Sequence, residues 1–252
     1  MAADSLDIVV VYPELLGLYG DRGNGLALVH RSRARGIRTR VVDVHPGDVV
    51  PETGDLYLLG GGEDAPMMLA WELLVDQPGL VRALDRGAPC LAVCAGFQLL
   101  SEEFAGPDGK SRPGLGALDV RCSRLTGARA VGEVVAEPVG LPVGPVTGYE
   151  NHQGDAVLGA EAKPLGRVRT GVGNGVAGDE GALQGGVVAT YLHGPVLARN
   201  PDIADHLLAA ALGRPLEPWV DTAVERLRRE RLDAADRDRR RRLSRWRVRS
   251  AP

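Results

Sequence analysis

The chain has 252 residues, 44% hydrophobic and 25% charged, with a formal net charge of −3. That length can bury one large α/β core with an appendage, and the composition excludes a disordered or fibrous chain. No stretch approaches the ~18 apolar residues of a membrane span. MAADSLDIVVVYPE lacks the basic start and apolar core of a secretory signal, and the three cysteines (Cys90, Cys94, Cys122) form neither a metal-type spacing nor a disulfide framework. A cytoplasmic protein with reduced thiols is expected.

LDIVVV (6–11) is β-branched and apolar and predicts a buried strand. GNGLALVHRSRARG (23–36) carries apolar residues at helical spacing and stops at Gly36. IRTRVVDV (37–44) alternates as a second strand, and DLYLLGGG (55–62) is a strand running into three glycines. PMMLAWELLVDQPGLVRALDRG (66–87) reads as helix interrupted at Pro78 and Gly79. PCLAVC (89–94) is a further strand and GFQLLSEEF (96–104) a further helix. This order predicts a mostly parallel open sheet with helices on both faces, an α/β fold.

Residues 106–187 are rich in glycine and short alternating runs, and predict antiparallel hairpins along one edge of that sheet. GVVATYLHGP (186–195) reads as a last buried strand ending in His193. NPDIADHLLAAALG (200–213) is a helix with Asn200 as its cap and Pro201 at its first position. A long, highly charged helix follows over 217–246. The expected organisation is one domain over 1–215 and a helical, arginine-rich extension over 216–252.

The chemistry concentrates where strands end. In an open parallel sheet, ligands bind beyond the carboxyl ends of the strands. Cys94 stands on such a strand-to-helix corner, where helix amides favour thiolate and face a developing oxyanion. Ala92, Ala95 and Gly96 are small enough for a sharp turn. The glycines at 60–62 end a second strand, and their N–H groups can turn toward a substrate. GGGEDAP is not a phosphate-binding loop, because it lacks the Lys-Ser/Thr pair. His193 ends a third strand, where a neutral imidazole can take a thiol proton and later protonate a leaving amine. Taken singly, each has an ordinary structural explanation: a buried cysteine, a tight turn, a capping histidine. Cys90, inside its strand, reads as core, and Cys122 carries no argument for function.

AVCAGFQ (92–98) resembles the nucleophile motif G-x-C-x-G-x-Q of class I glutamine amidotransferases, with Ala92 in place of the first glycine. YLHGP (191–195) is similar to the histidine motif of the cobyric-acid-synthase-like branch. That branch lacks the glutamate found two residues after histidine in other members, and Pro195 holds the position here. With LGLYGDRGNGLAL, LLGGGEDAP, RAVGEVV and GYENHQG, the chain resembles the glutaminase subunits of lipid II isoglutaminyl synthases over most of residues 6–220. The resemblance implies a flavodoxin-like fold and hydrolysis of L-glutamine, with Cys94 as nucleophile and His193 as general base and acid. It places Arg129 on the glutamine α-carboxylate, for which a guanidinium fork is suited. Gln98 and Asn151 would line the site, His152 beside them could equally be structural, and Gly61 or Gly62 with Ala95 would hold the oxyanion. No third catalytic acid follows from it.

The resemblance further implies a heterodimer with a Mur-ligase-like synthetase, which would amidate D-glutamate of lipid II to D-isoglutamine. No cofactor or metal is expected on this chain, while ATP and magnesium belong to the partner. A cobyrinate-type synthetase as partner, a cysteine hydrolase of similar fold, and a binding subunit with a vestigial site stay open as alternatives. Residues 225–249 hold 12 arginines against 5 acids, a net of +7 that leaves −10 on residues 1–224. A solvated tail, docking on an acidic ligase surface, and contact with anionic lipid at the inner membrane face remain open for it. Nucleic acid is not expected, because the body is acidic.

Overall fold

The computed structural model describes residues 5–18 and 20–249, with side chains described as far as Arg237. In chain order the first half comprises β1 (Ser5–Val11), α1 (Arg22–Arg33), β2 (Arg38–Val44), β3 (Leu56–Leu59), α2 (Asp64–Val75), α3 (Gly79–Asp85), β4 (Cys90–Val93) and α4 (Ala95–Leu100). Short strands follow: β5 (Glu103–Ala105), β6 (Ser111–Pro113), β7 (Val120–Arg124), β8 (Ala130–Pro138), β9 (Val146–His152), β10 (Gly154–Leu158), β11 (Gly166–Thr170), β12 (Asp179–Glu180) and β13 (Ala182–Gln184). The chain closes with β14 (Val187–Thr190), β15 (Leu192–His193), α5 (Val196–Arg199), α6 (Pro201–Leu212) and α7 (Thr222–Arg249).

The main sheet has the order β13-β14-β4-β3-β1-β2. All its pairings are parallel except β13 with β14. Every residue of β3, β4 and β14 is buried, as expected for strands covered on both faces. Each fully buried leucine or valine there contributes about 1.5–3 kcal/mol. The crossovers β1-α1-β2 and β3-α2-α3-β4 run in opposite directions across the sheet. Right-handed connection therefore sets their helices on opposite faces.

Three expectations are corrected. Only β13 of the glycine-rich middle forms an antiparallel edge of the main sheet; most of the rest folds into two further sheets, β10-β7-β5-β6 and β12-β11-β8-β9-β15. The helix read over 96–104 stops at Leu100, because the Ser101 hydroxyl donates to the Gln98 carbonyl at 2.6 Å and the backbone turns extended. The strand read over 186–195 is two strands in different sheets. Buried Glu180 accepts the Tyr191 N–H at 3.2 Å, and Thr190 Oγ1 accepts the Leu192 N–H at 3.0 Å. Both amides are thus withdrawn from the main ladder, and the chain crosses to pair His193 with Tyr149 of β9. Asn200 occupies the N-cap of α6, but its side chain bonds the Thr147 N–H and carbonyl instead of its own helix.

After α6 ends on left-handed Gly213, Trp219 packs under the Arg31 and Arg35 guanidiniums. Arg228 of α7 donates to the carbonyls of Arg199 and Pro145. The remaining arginines of the extension lie largely in 238–252, whose side chains are outside the described residues.

Candidate active site

The carboxyl ends of β1, β3 and β4 and the β14–β15 crossing converge on one point. Cys94 sits between β4 and α4 with φ 52° and ψ −101°, a conformation that L-residues rarely adopt. Such strain costs about 1–3 kcal/mol and persists only where the surroundings hold it. Here the Cys94 N–H is bound by the Thr190 carbonyl at 2.8 Å, and the Gly96 N–H by the Gly60 carbonyl at 3.1 Å. The corner is pinned to both neighbouring strands, and the thiol is turned toward a pocket that it helps to line.

Gly61 lies beside Cys94 and His193. A Cβ on it would stand 2.6 Å from His193 Cε1 and 3.4 Å from Cys94 Cβ, so any side chain there would push the pair apart. His193 is 2% exposed. Burial alone would lower its pKa. The carboxylate of Asp21 and the hydrogen-bonded Cys94 side chain outweigh that and raise it to about 9. At neutral pH the imidazole thus already carries the proton that a neutral base would have to take.

The pocket brings together Cys94, Gln98, Gly62, Arg129 and Asn151. Arg129 is held by Asn151, with Nε donating to Asn151 Oδ1 at 2.6 Å and Nη2 to its carbonyl at 3.0 Å. The pocket is polar at its mouth, where Arg124 pairs with Asp64 at 2.7 Å. His152 is buried and stacked on Tyr191 with ring centroids 4.0 Å apart, which makes it part of the wall. The expectation that the Gly61 N–H serves an oxyanion needs correction: that amide donates to Asp21 Oδ2 at 2.7 Å. Among the described residues the Gly62 and Ala95 amides have no backbone acceptor, and they are the donors that remain.

Two further residues at the site escaped the sequence reading. Asp21 is one; its only sequence signal is an acid between glycines in the loop after β1. The other is Glu180, fully enclosed beneath the β14–β15 crossing, where it accepts the Thr190 hydroxyl at 2.5 Å. Burial raises its pKa to about 7. Because the folded value lies above the ordinary 4.5, its contribution to stability is fully present below pH ~4.5 and is lost as pH rises through about 7. Glu180→Gln keeps the accepting oxygen. It is expected to be more stable than wild type at pH 8 by about 1–3 kcal/mol and to match it at pH 5, measured by denaturant melts. Equal pH profiles in the two proteins would contradict this.

The three thiols differ in access. Cys90 and Cys122 are enclosed away from the pocket, and burial pushes both thiols up, Cys122 to about 12. Only Cys94 among the three lines the pocket. Native protein treated with iodoacetamide at pH 7.5 is therefore expected to carry one carbamidomethyl group, on Cys94 by peptide mapping. Modification of Cys90 or Cys122 at a comparable rate would overturn the assignment.

A strained cysteine at a strand–helix corner, with a buried histidine beside it over a parallel sheet, is the arrangement expected from the resemblance to class I glutamine amidotransferases. A solved glutamine amidotransferase superposes with a TM-score of 0.54 over 81% of this chain and 98% of its own, at 24% identity, a likeness that bears on the fold. The CobB/CobQ-like glutamine amidotransferase domain matches residues 7–201, and the chain belongs to that family. It is 36% identical to the Staphylococcus aureus lipid II isoglutaminyl synthase (glutamine-hydrolyzing) subunit GatD, over 83% of this chain and 87% of that protein. It is 32% identical to the Streptococcus pneumoniae subunit of the same name, over 82% of this chain and 80% of that one. Cobyric acid synthase of Sphingopyxis alaskensis is 32% identical over 72% of this chain, but the match spans 38% of that protein.

Proposed function

We propose that the chain is the glutaminase subunit of a lipid II isoglutaminyl synthase, releasing ammonia from L-glutamine by a Cys94–His193 mechanism. The observation that carries this reading is the alignment over 87% of the Staphylococcus aureus subunit. The pocket supplies its chemistry. Arg129, steadied by Asn151, faces the α-carboxylate of glutamine with a guanidinium fork. The Cys94 thiolate attacks the side-chain carbonyl, and the Gly62 and Ala95 amides bind the oxyanion. His193 donates its proton to the departing nitrogen, ammonia leaves, and a γ-glutamyl thioester remains. The now neutral imidazole takes a proton from water, whose oxygen attacks the thioester. Collapse expels the Cys94 thiolate and glutamate, and the imidazolium is restored.

The ammonia passes to a Mur-ligase-like partner in a heterodimer. That partner holds ATP and magnesium and amidates the D-glutamate of lipid II to D-isoglutamine. The site is cytoplasmic in this reading, and no helix among the described residues is long and apolar enough to cross a membrane. The test is to combine the chain with a candidate partner ligase, ATP and lipid II. Cys94-dependent ammonia release together with amidated lipid II is expected. Cys94-dependent release without that product would move the acceptor to another amide synthetase, such as a cobyrinate-type enzyme, as the partial match to cobyric acid synthase allows.

A further inference from the structure

The geometry points to Asp21, on the loop between β1 and α1, as a positioning residue that orients the His193 imidazole and the oxyanion loop with one carboxylate. This rests on the glutaminase reading for its chemistry, but the placement of Asp21 is independent of it. The Asp21 side chain is 2% exposed. Its Oδ2 lies 3.3 Å and its Oδ1 3.4 Å from His193 Nδ1, and Oδ2 accepts the Gly61 N–H at 2.7 Å.

Asp21 also forgoes the bond its position normally makes. An aspartate at a helix N-cap usually accepts an N–H of the first turn. Asp21 stands at the N-cap of α1 and makes no side-chain cap bond. Its carboxylate is turned inward instead, and the surrounding loop is built to allow this. A Cβ on Gly23 would stand 2.2 Å from Pro195 Cγ, so glycine there lets the first turn of α1 close onto the segment after His193. Buried Asn24 accepts the Leu197 N–H at 3.0 Å and ties the two segments together. Pro195, two residues beyond His193, has no carboxylate to offer. The chain thus brings an acid to the histidine from a different strand end.

A carboxylate on Nδ1 holds the imidazole with Nδ1 protonated and leaves Nε2 for the thiol, the arrangement that orients histidine in catalytic triads generally. The same carboxylate fixes Gly61 and, through it, the direction of the adjacent Gly62 amide. The charged or titratable groups that act on His193 are Asp21 from the β1–α1 loop, Cys94 from the β4–α4 corner and, more weakly, Glu180 of β12. Of these, Asp21 lies against Nδ1 with both carboxylate oxygens.

The test uses Asp21→Asn in the full chain, assayed with its partner. The amide retains an oxygen for the Gly61 N–H and removes the charge. The expected result is a fall in kcat on the order of 10²–10⁴ with little change in KM for glutamine. The alkaline limb of activity should move down by about 1–3 pH units. Alkylation of Cys94 at neutral pH should slow, because the imidazole beside the sulfur then carries less positive charge. A merely structural role would leave the pH limb and the alkylation profile in place, and that result overturns the proposal. The wild-type protein supplies a second measurement that does not depend on the variant folding. Nitrogen chemical shifts of His193 above pH 9 should report the Nδ1–H tautomer, and an Nε2–H tautomer would contradict Asp21 as the orienting group. Absence of glutamine turnover by the wild type would count against the glutaminase reading alone, since the alkylation profile and the tautomer still decide the role of Asp21.

Discussion

Cys94→Ala is expected to lower glutamine turnover by about 10⁴-fold or more, without loss of fold. Removing a nucleophile that acts as a unit with its base leaves only the residual rate from binding and the oxyanion donors. The pocket, Arg129 and the Gly62 and Ala95 amides do not depend on the sulfur atom. Glutamine should therefore still bind to the variant, and KM-type binding measured by calorimetry should persist. Cys94→Gly separates chemistry from strain. At φ 52° and ψ −101° a glycine relaxes what cysteine must hold under tension. That variant is expected to be equally inactive, yet more stable than Cys94→Ala by about 1 kcal/mol. If the two variants melt alike, the corner is not strained in the way its backbone angles indicate.

His193→Gln is the second large effect. Proton transfer by a placed histidine contributes on the order of 10²–10⁴ in rate, and the variant should lose that much in kcat. Its pH dependence carries a clear sign. His193 is raised to about 9, so the imidazolium required for ammonia departure is present at neutral pH and disappears above about 9. Wild-type turnover should fall on that limb, and the residual activity of His193→Gln should lack it. The same shift is a stability statement. A histidine with a folded pKa above its ordinary 6.5 contributes stability that is fully present below pH ~6.5 and lost as pH rises through about 9. The loss amounts to about 3 kcal/mol, and it should be absent from the melts of His193→Gln. This window lies above that of Glu180, so the two groups can be told apart by measuring each variant from pH 4 to 10.

What was legible in the sequence follows from what is local. The apolar runs of β1, β3 and β4 announce buried strands because both faces are covered and no alternation is needed. Cys94 and the glycines at 60–62 were legible because each ends such a run, and strand ends are where an open parallel sheet binds its ligands; His193 was read the same way, although it ends β15 of a different sheet. Arg129 and Asn151 were placed by resemblance, and the structure adds that they hold each other.

The parts that were not legible depend on distant partners. Asp21 and His193 are 172 residues apart in sequence, and nothing in the loop around Asp21 announces an inward carboxylate. Because Asp21 was missed, the Gly61 amide was left in the oxyanion site, although it is already bonded. The break at Tyr191 was invisible because GVVATYLH reads as one continuous strand-forming run, while the residue that diverts it, Glu180, lies in another strand. The two smaller sheets, one mixed and one antiparallel, were read as one edge because strands of two to nine residues separated by glycine carry no record of their neighbours.

The central claim is that the Cys94 thiolate attacks the side-chain carbonyl of glutamine. The measurement that tests it most directly is covalent labelling with 6-diazo-5-oxo-L-norleucine, a glutamine analogue whose diazoketone alkylates the nucleophile that reaches that carbonyl. Intact-mass and peptide mapping should find one adduct, on Cys94, formed more slowly when L-glutamine is present and absent from Cys94→Ala. An adduct on another residue, or labelling of Cys94 that L-glutamine does not slow, would contradict the account.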